Sequence, residues 1–108
     1  MKHHGIVLAV VLLAAGSAHA ALDNAAAEAL MKKDGCAACH AIDKKIVGPA
    51  YQDVAAKYKG DKDAPAKLAD KVKKGGSGVW GPIPMPPNTQ TSDADIKNLV
   101  SWILTLKK

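Results

Sequence analysis

Cys36, Ala37, Ala38, Cys39 and His40 place two thiols three residues apart, with an imidazole directly after the second. This C-x-x-C-H order is the attachment pattern of a c-type haem. On a helical turn, residues three apart share a face, so both sulfurs can reach the two vinyl edges of one porphyrin. His40 then falls beside the iron and offers a ring nitrogen. Ala37 and Ala38 are small enough to let a flat ring approach the backbone.

Three other chemistries use the same residue types. A thioredoxin-like redox pair needs a βαβ setting, and no segment here alternates with the period of a strand. A structural zinc site needs four ligands, which two Cys and one nearby His do not supply. A disulfide between Cys36 and Cys39 would close a loop too short to stabilise much. Covalent haem is the reading that uses all three residues.

A haem iron with one protein ligand needs either a sixth partner or an open position, and the choice separates carriers from enzymes. Met31 and Met85 are the candidates once the N-terminal segment is set aside. Met31 sits beside Leu30 in an amphipathic stretch, where a methionine ordinarily fills the core. Met85 follows His40 by 45 residues, in Pro82-Ile83-Pro84-Met85-Pro86-Pro87. That loop is long enough to wrap to the far side of the ring, and its prolines hold it stiff and extended. Met85 is therefore the expected sixth ligand.

Helices must position these groups. Asp23 can cap a helix through Ala25–Met31 that Gly35 ends. Pro49 suits the first position of a second helix, Ala50–Lys59, stopped by Gly60. Asp63, with Pro65 in the first turn, opens a third helix that runs to Gly75-Gly76. Ser92 and Asp95 resemble a capping box for a last helix, whose stripe is Ile96, Leu99, Val100, Ile103 and Leu104. The expected class is all-α, in one domain.

Ahead of that domain, Ile6–Ala15 is an unbroken apolar run after a basic start, and Ala18-His19-Ala20 fits a signal-peptidase site. Ten apolar residues are too few to cross a bilayer, which takes roughly 20. Residues 1–20 are thus expected to be a cleaved secretory signal, with the functional domain at 21–108 and a periplasmic address. Removing them takes away His3, His4 and His19, leaving His40 as the one histidine. The remaining 14 basic residues are all Lys and outnumber the 10 acidic ones by four. Without Arg for bidentate phosphate contacts, and with an exported address, nucleic-acid binding is not expected. A domain this small, with two Tyr, two Trp and no Phe, also needs an added core, which a buried haem would provide.

Two segments together carry a resemblance. Gly35–Tyr58, GCAACHAIDKKIVGPAYQDVAAKY, and Gly78–Asn88, GVWGPIPMPPN, resemble the small single-haem bacterial class I cytochromes c of the cytochrome c-551 type. The likeness spans essentially the whole of residues 21–108. It implies four helices around one covalent haem c, with crossing N- and C-terminal helices. It also implies thioethers at Cys36 and Cys39 and iron ligation by His40 and Met85. The Pro49 carbonyl would accept the free ring N–H of His40, fixing the imidazole and raising its basicity. The Trp80 indole would donate to a haem propionate, and Asn88 would lie near the Met85 sulfur. Departures exist. Met31 and Tyr58 stand where relatives often carry Phe, and Lys71 stands where an Arg can contact a propionate. The segment Asn88–Ser92 is about one residue longer than usual.

The function this implies is periplasmic one-electron transport in a respiratory chain, with two strong ligands and no open iron site. A peroxidase-like enzyme or gas sensor would need a displaceable Met85 and distal acid–base residues, and the loop around Met85 is apolar. Expected partners are redox proteins. Donors would be cytochrome bc1-type or other membrane complexes, and acceptors a periplasmic nitrite reductase or a terminal oxidase. The protein itself would be a monomer without stable membrane insertion. Lys32, Lys33, Lys44, Lys45, Lys57, Lys59, Lys73 and Lys74 form either a rim that steers acidic partners or simply a solvated surface.

Overall fold

In the computed structural model, residues 22–108 and Gly5 are described. The expected signal segment, residues 1–20, lies outside the described stretch apart from Gly5. The described residues form four α-helices and one short 3-10 turn, with no paired strands.

Helix α1 (Asn24–Lys33) begins where the Asp23 carboxylate accepts from the Ala26 N–H at 2.7 Å, satisfying one of the free amides of its first turn. It buries Ala27 and Met31, four residues apart on one face. Gly35 then takes a left-handed conformation (φ 79°) and turns the chain into the 3-10 turn Cys36–Ala38.

Helix α2 runs Tyr51–Lys57, shorter at both ends than the sequence pattern predicts. Ala50, not Pro49, is the residue before the first turn. Pro49 is kept out because its carbonyl is committed to His40 and its neighbours hold the preceding segment: Tyr51 N–H donates to Ala41 O at 2.9 Å and Gln52 N–H to Ile42 O at 3.0 Å. At the far end Tyr58 already leaves helical geometry.

Helix α3 (Ala64–Lys74) has Pro65 in its first turn, where a missing N–H is harmless. Asp63 precedes it but makes no side-chain cap; instead the Asp61 carboxylate accepts from Asp63 N–H at 2.9 Å. Helix α4 (Asp93–Leu104) starts at Ser92, whose hydroxyl accepts from Asp95 N–H at 3.1 Å, one half of the capping box.

Helix α4 is the hub and packs on α1, α2 and α3. The buried cluster joins Ala27 and Met31 of α1, Tyr51 and Val54 of α2, and Leu99, Trp102 and Ile103 of α4. The first and last helices are also tied by a hydrogen bond: Trp102 Nε1 donates to Asn24 Oδ1 at 3.0 Å. Met31, 4% exposed, is a core residue as its setting predicts.

Candidate functional site

A cleft with about 1320 Å³ free of protein atoms, partly open to solvent, is lined by nearly every residue singled out for chemistry. Cys36, Cys39 and His40 reach it from the segment after α1. Val54 and Tyr58 come from α2, Leu68, Lys71 and Val72 from α3, and Ile96, Leu99, Val100 and Ile103 from α4. Trp80 and Met85 come from the proline loop. Its walls are mostly apolar, as a site for a large flat hydrophobic group should be.

His40 is held on three sides. Its Nδ1 donates to the Pro49 carbonyl at 2.8 Å, since a carbonyl can only accept. That bond fixes the tautomer and leaves Nε2 as the nitrogen free to bind a metal. The Tyr51 ring stacks on the imidazole with centroids 5.0 Å apart and planes 21° from parallel. Gly48 lies against the ring on a further side: a Cβ there would sit 2.5 Å from Cε1 and 2.9 Å from Nδ1.

Cys36 and Cys39 are half-buried and not joined in a disulfide. Burial pushes the Cys36 thiol above its ordinary range, partly offset by a hydrogen bond to Tyr51. Burial also raises the Tyr51 phenol, so it stays a neutral donor. Among the described residues no three His, Cys, Asp or Glu side chains converge into a metal cluster. The donor set is two thiols spaced for a porphyrin edge, one oriented imidazole and one thioether in an apolar cleft. It fits a haem and does not fit structural zinc.

Met85 is placed by backbone, not by its own side chain. Met85 N–H donates to Gly76 O at 2.8 Å, and Gly76 N–H donates back to Met85 O at 3.0 Å. Gly75, at φ 71°, makes this approach possible: a Cβ on it would collide with the Met85 carbonyl and lie 2.8 Å from Pro87 N. Asn88 holds the downstream limb. Its N–H donates to Val72 O at 2.9 Å, while its Oδ1 accepts from Gln90 N–H at 3.1 Å and Thr91 N–H at 3.0 Å. The side-chain oxygen of Asn88 is thus spent on turning the loop, and only its NH2 end remains for Met85. Trp80 stands at the cleft mouth, 41% exposed, and half-buried Lys71 lines the wall.

Sequence reasoning did not single out Gly48 or Tyr51. A glycine just before the Pro49 that carries the His40 acceptor was the available signal for the first. For Tyr51 the signal was an aromatic two residues beyond Pro49, on a helix face toward the cleft. Of the eight lysines considered as a rim, all are exposed, but Lys73 pairs with Asp93 at 3.1 Å and Lys74 with Asp70 at 2.9 Å.

Comparison with known proteins agrees with this arrangement. The family model for cytochrome c matches residues 24–107. Cytochrome c-552 of Nitrosomonas europaea is 54% identical over 103 residues, covering 95% of this chain and 94% of that protein. Cytochrome c-551 of Pseudomonas aeruginosa is 58% identical over 80 residues, covering 74% of this chain and 76% of that protein. The crystal structure of wild-type Nitrosomonas europaea cytochrome c552 superposes with a TM-score of 0.72 at 59% identity, covering 74% of this chain and 99% of that one. With the cleft, the attachment motif and these relatives in agreement, the chain belongs to the cytochrome c family, small electron carriers with a covalent haem c rather than enzymes.

Proposed function

We propose that this protein is an exported, periplasmic one-electron carrier in which His40 and Met85 are the two axial ligands of the haem iron. The observation that carries the reading is the pair of clamps on one cleft: Pro49 orients the His40 ring, and Gly76 fixes the Met85 backbone. Bound haem supplies a one-electron ferric–ferrous couple, and Met/His ligation raises its potential.

The chain's own residues then divide the remaining work. Cys36 and Cys39 hold the ring covalently, which limits movement between redox states. Pro49, by accepting from Nδ1, makes Nε2 a better donor to the metal. Trp80 would donate to a propionate at the cleft mouth, while half-buried Lys71, standing where an Arg can make such a contact, lines the neighbouring wall. The Asn88 amide stands by the Met85 sulfur. The walls from α4 exclude water, so charge change meets little solvent rearrangement.

Residues 1–20 are the export signal and Ala21 the first residue of the finished protein. Among the described residues no helix is long and apolar enough to cross a membrane. The protein would act as a monomeric shuttle between membrane-bound donors such as a bc1-type complex and acceptors such as a nitrite reductase or terminal oxidase. Exposed Lys33, Lys44 and Lys45, close in sequence to the attachment motif, are suited to acidic partners.

Intact mass and a reduced-minus-oxidised spectrum of protein from the periplasmic fraction test the reading together. The expected result is the chain from Ala21 plus one haem, with sharp ferrous bands and no carbon monoxide binding by the reduced form. Ready carbon monoxide binding would overturn the two-ligand assignment, and a membrane-retained N-terminus would overturn export as a free shuttle.

A further inference from the structure

The two sides of the cleft mouth are built by segments that share few hydrogen bonds. One side is α2, tied to the His40 segment through Tyr51 and Gln52. Its last turn turns Val54 and Tyr58 into the wall and leaves Lys57 exposed at the rim. The other side is the tip of the proline loop. It is anchored at its base by the Gly76–Met85 pair and closed on itself by Gly78 N–H donating to Gly81 O at 2.8 Å. Gly78 (φ 104°) and Gly81 (φ 122°) bracket this tip, so Val79 and Trp80 project from it, 50% and 41% exposed.

One contact bridges the gap. The Lys57 ammonium lies 5.5 Å from the centroid of the Trp80 ring, inside the distance at which a cation is held by an indole face. Among the described residues, the lysines in ion pairs are Lys67, Lys73, Lys74 and Lys108. Lys57 is not one of them, and its charge is spent on the ring.

We infer that Lys57 is a positioning residue: seated on Trp80, it straps the proline loop to α2 across the cleft mouth and fixes one positive charge beside the redox centre. The inference rests on the haem reading above. The strap restricts an indole whose N–H must be aimed at a carboxylate, an orientation the glycine-bracketed tip would otherwise leave free. The fixed charge disfavours the oxidised, more positive state of the centre, and so raises the potential.

The test uses reduced holoprotein and its two tryptophans. Indole N–H exchange at Trp80 should quicken roughly two- to fivefold in Lys57→Gln, the factor expected for losing one exposed cation–π contact. Trp102, whose N–H is held by Asn24, is the internal reference and should not change. The reduction potential of Lys57→Gln should shift downward, by less at high salt. Lys57→Arg, which keeps a cation able to stack on the ring, should restore both readouts. Unchanged Trp80 exchange in Lys57→Gln would overturn the strap, even with a lowered potential, because charge alone would then suffice. Failure of Lys57→Arg to restore the exchange rate would overturn it as well. These readouts compare variants of one protein, so a wrong sixth ligand would appear separately, as carbon monoxide binding already in the unmutated chain.

Discussion

Gly48 and His40 are in such close contact that no side chain fits between them: a Cβ on Gly48 would come within 2.5 Å of the imidazole Cε1. Gly48 is not among the residues with positive φ, so the backbone itself would accept alanine. The glycine is required by the ring, not by the turn. Gly48→Ala should therefore force the imidazole off the Pro49 carbonyl or shift the loop, costing about 1–3 kcal/mol in stability as other overpacking changes do. Chemical denaturation of the holoprotein, with the ligand-field spectrum recorded alongside, measures both effects.

If Met85 is the sixth ligand, Met85→Ala should remove the weak red charge-transfer band of an iron–thioether bond and open the site to external ligands. The potential should fall, because the soft thioether favours ferrous iron. Covalent haem should stay, since Cys36, Cys39 and His40 are untouched. Met31→Leu, a near volume-conserving change in the core, should cost less than about 1.5 kcal/mol and leave the band intact. Oxidised-state spectra of the two variants decide the assignment: the band must follow Met85 and ignore Met31.

Docking by charge predicts a rate that falls as salt is added. Lys33→Glu and Lys45→Glu should each slow electron transfer to an acidic partner without altering the spectrum. Stopped-flow rates over a salt series measure this, and rates blind to both salt and charge reversal would assign docking to the apolar mouth around Val79 and Ile83.

Asp61 gives a prediction on the acid side. The Asp63 N–H, then the Lys67 ammonium at 3.3 Å, hold its carboxyl below the ordinary range. A depressed folded value means that the stabilisation is present above the unfolded pKa and is lost as pH falls through the folded one. Asp61→Asn should lower the thermal midpoint near neutrality, and the gap from the unmutated protein should close in strong acid. Melting curves across pH record the convergence.

The site was legible in the sequence wherever chemistry demanded a residue type at a fixed spacing. Cys36, Cys39 and His40 are read from order alone, and Met85 from its spacing of 45 residues after His40 in a loop that prolines stiffen. The helices followed from caps and apolar period, so α1, α3 and α4 appear where Asp23, Pro65 and Ser92 place them. What sequence did not reveal is held by contacts between distant segments. Helix α2 starts late because the Pro49 carbonyl serves His40, and no local signal carries that commitment. The stacking of Tyr51 on His40 and the Gly76–Met85 pairing likewise depend on how the chain returns on itself.

The bond between Asn24 and Trp102 spans 78 positions and joins the first helix to the last. A chain made from its N-terminus has Cys36, Cys39 and His40 in place long before the C-terminal partner of α1 exists. Until Trp102 arrives, α1 lacks its partner in α4, and the two cysteines lie in an open chain. Once the ends meet, both sulfur positions are half-buried and harder for any attachment chemistry to reach. The topology thus leaves the two sulfurs most accessible before α4 is in place, and encloses them last.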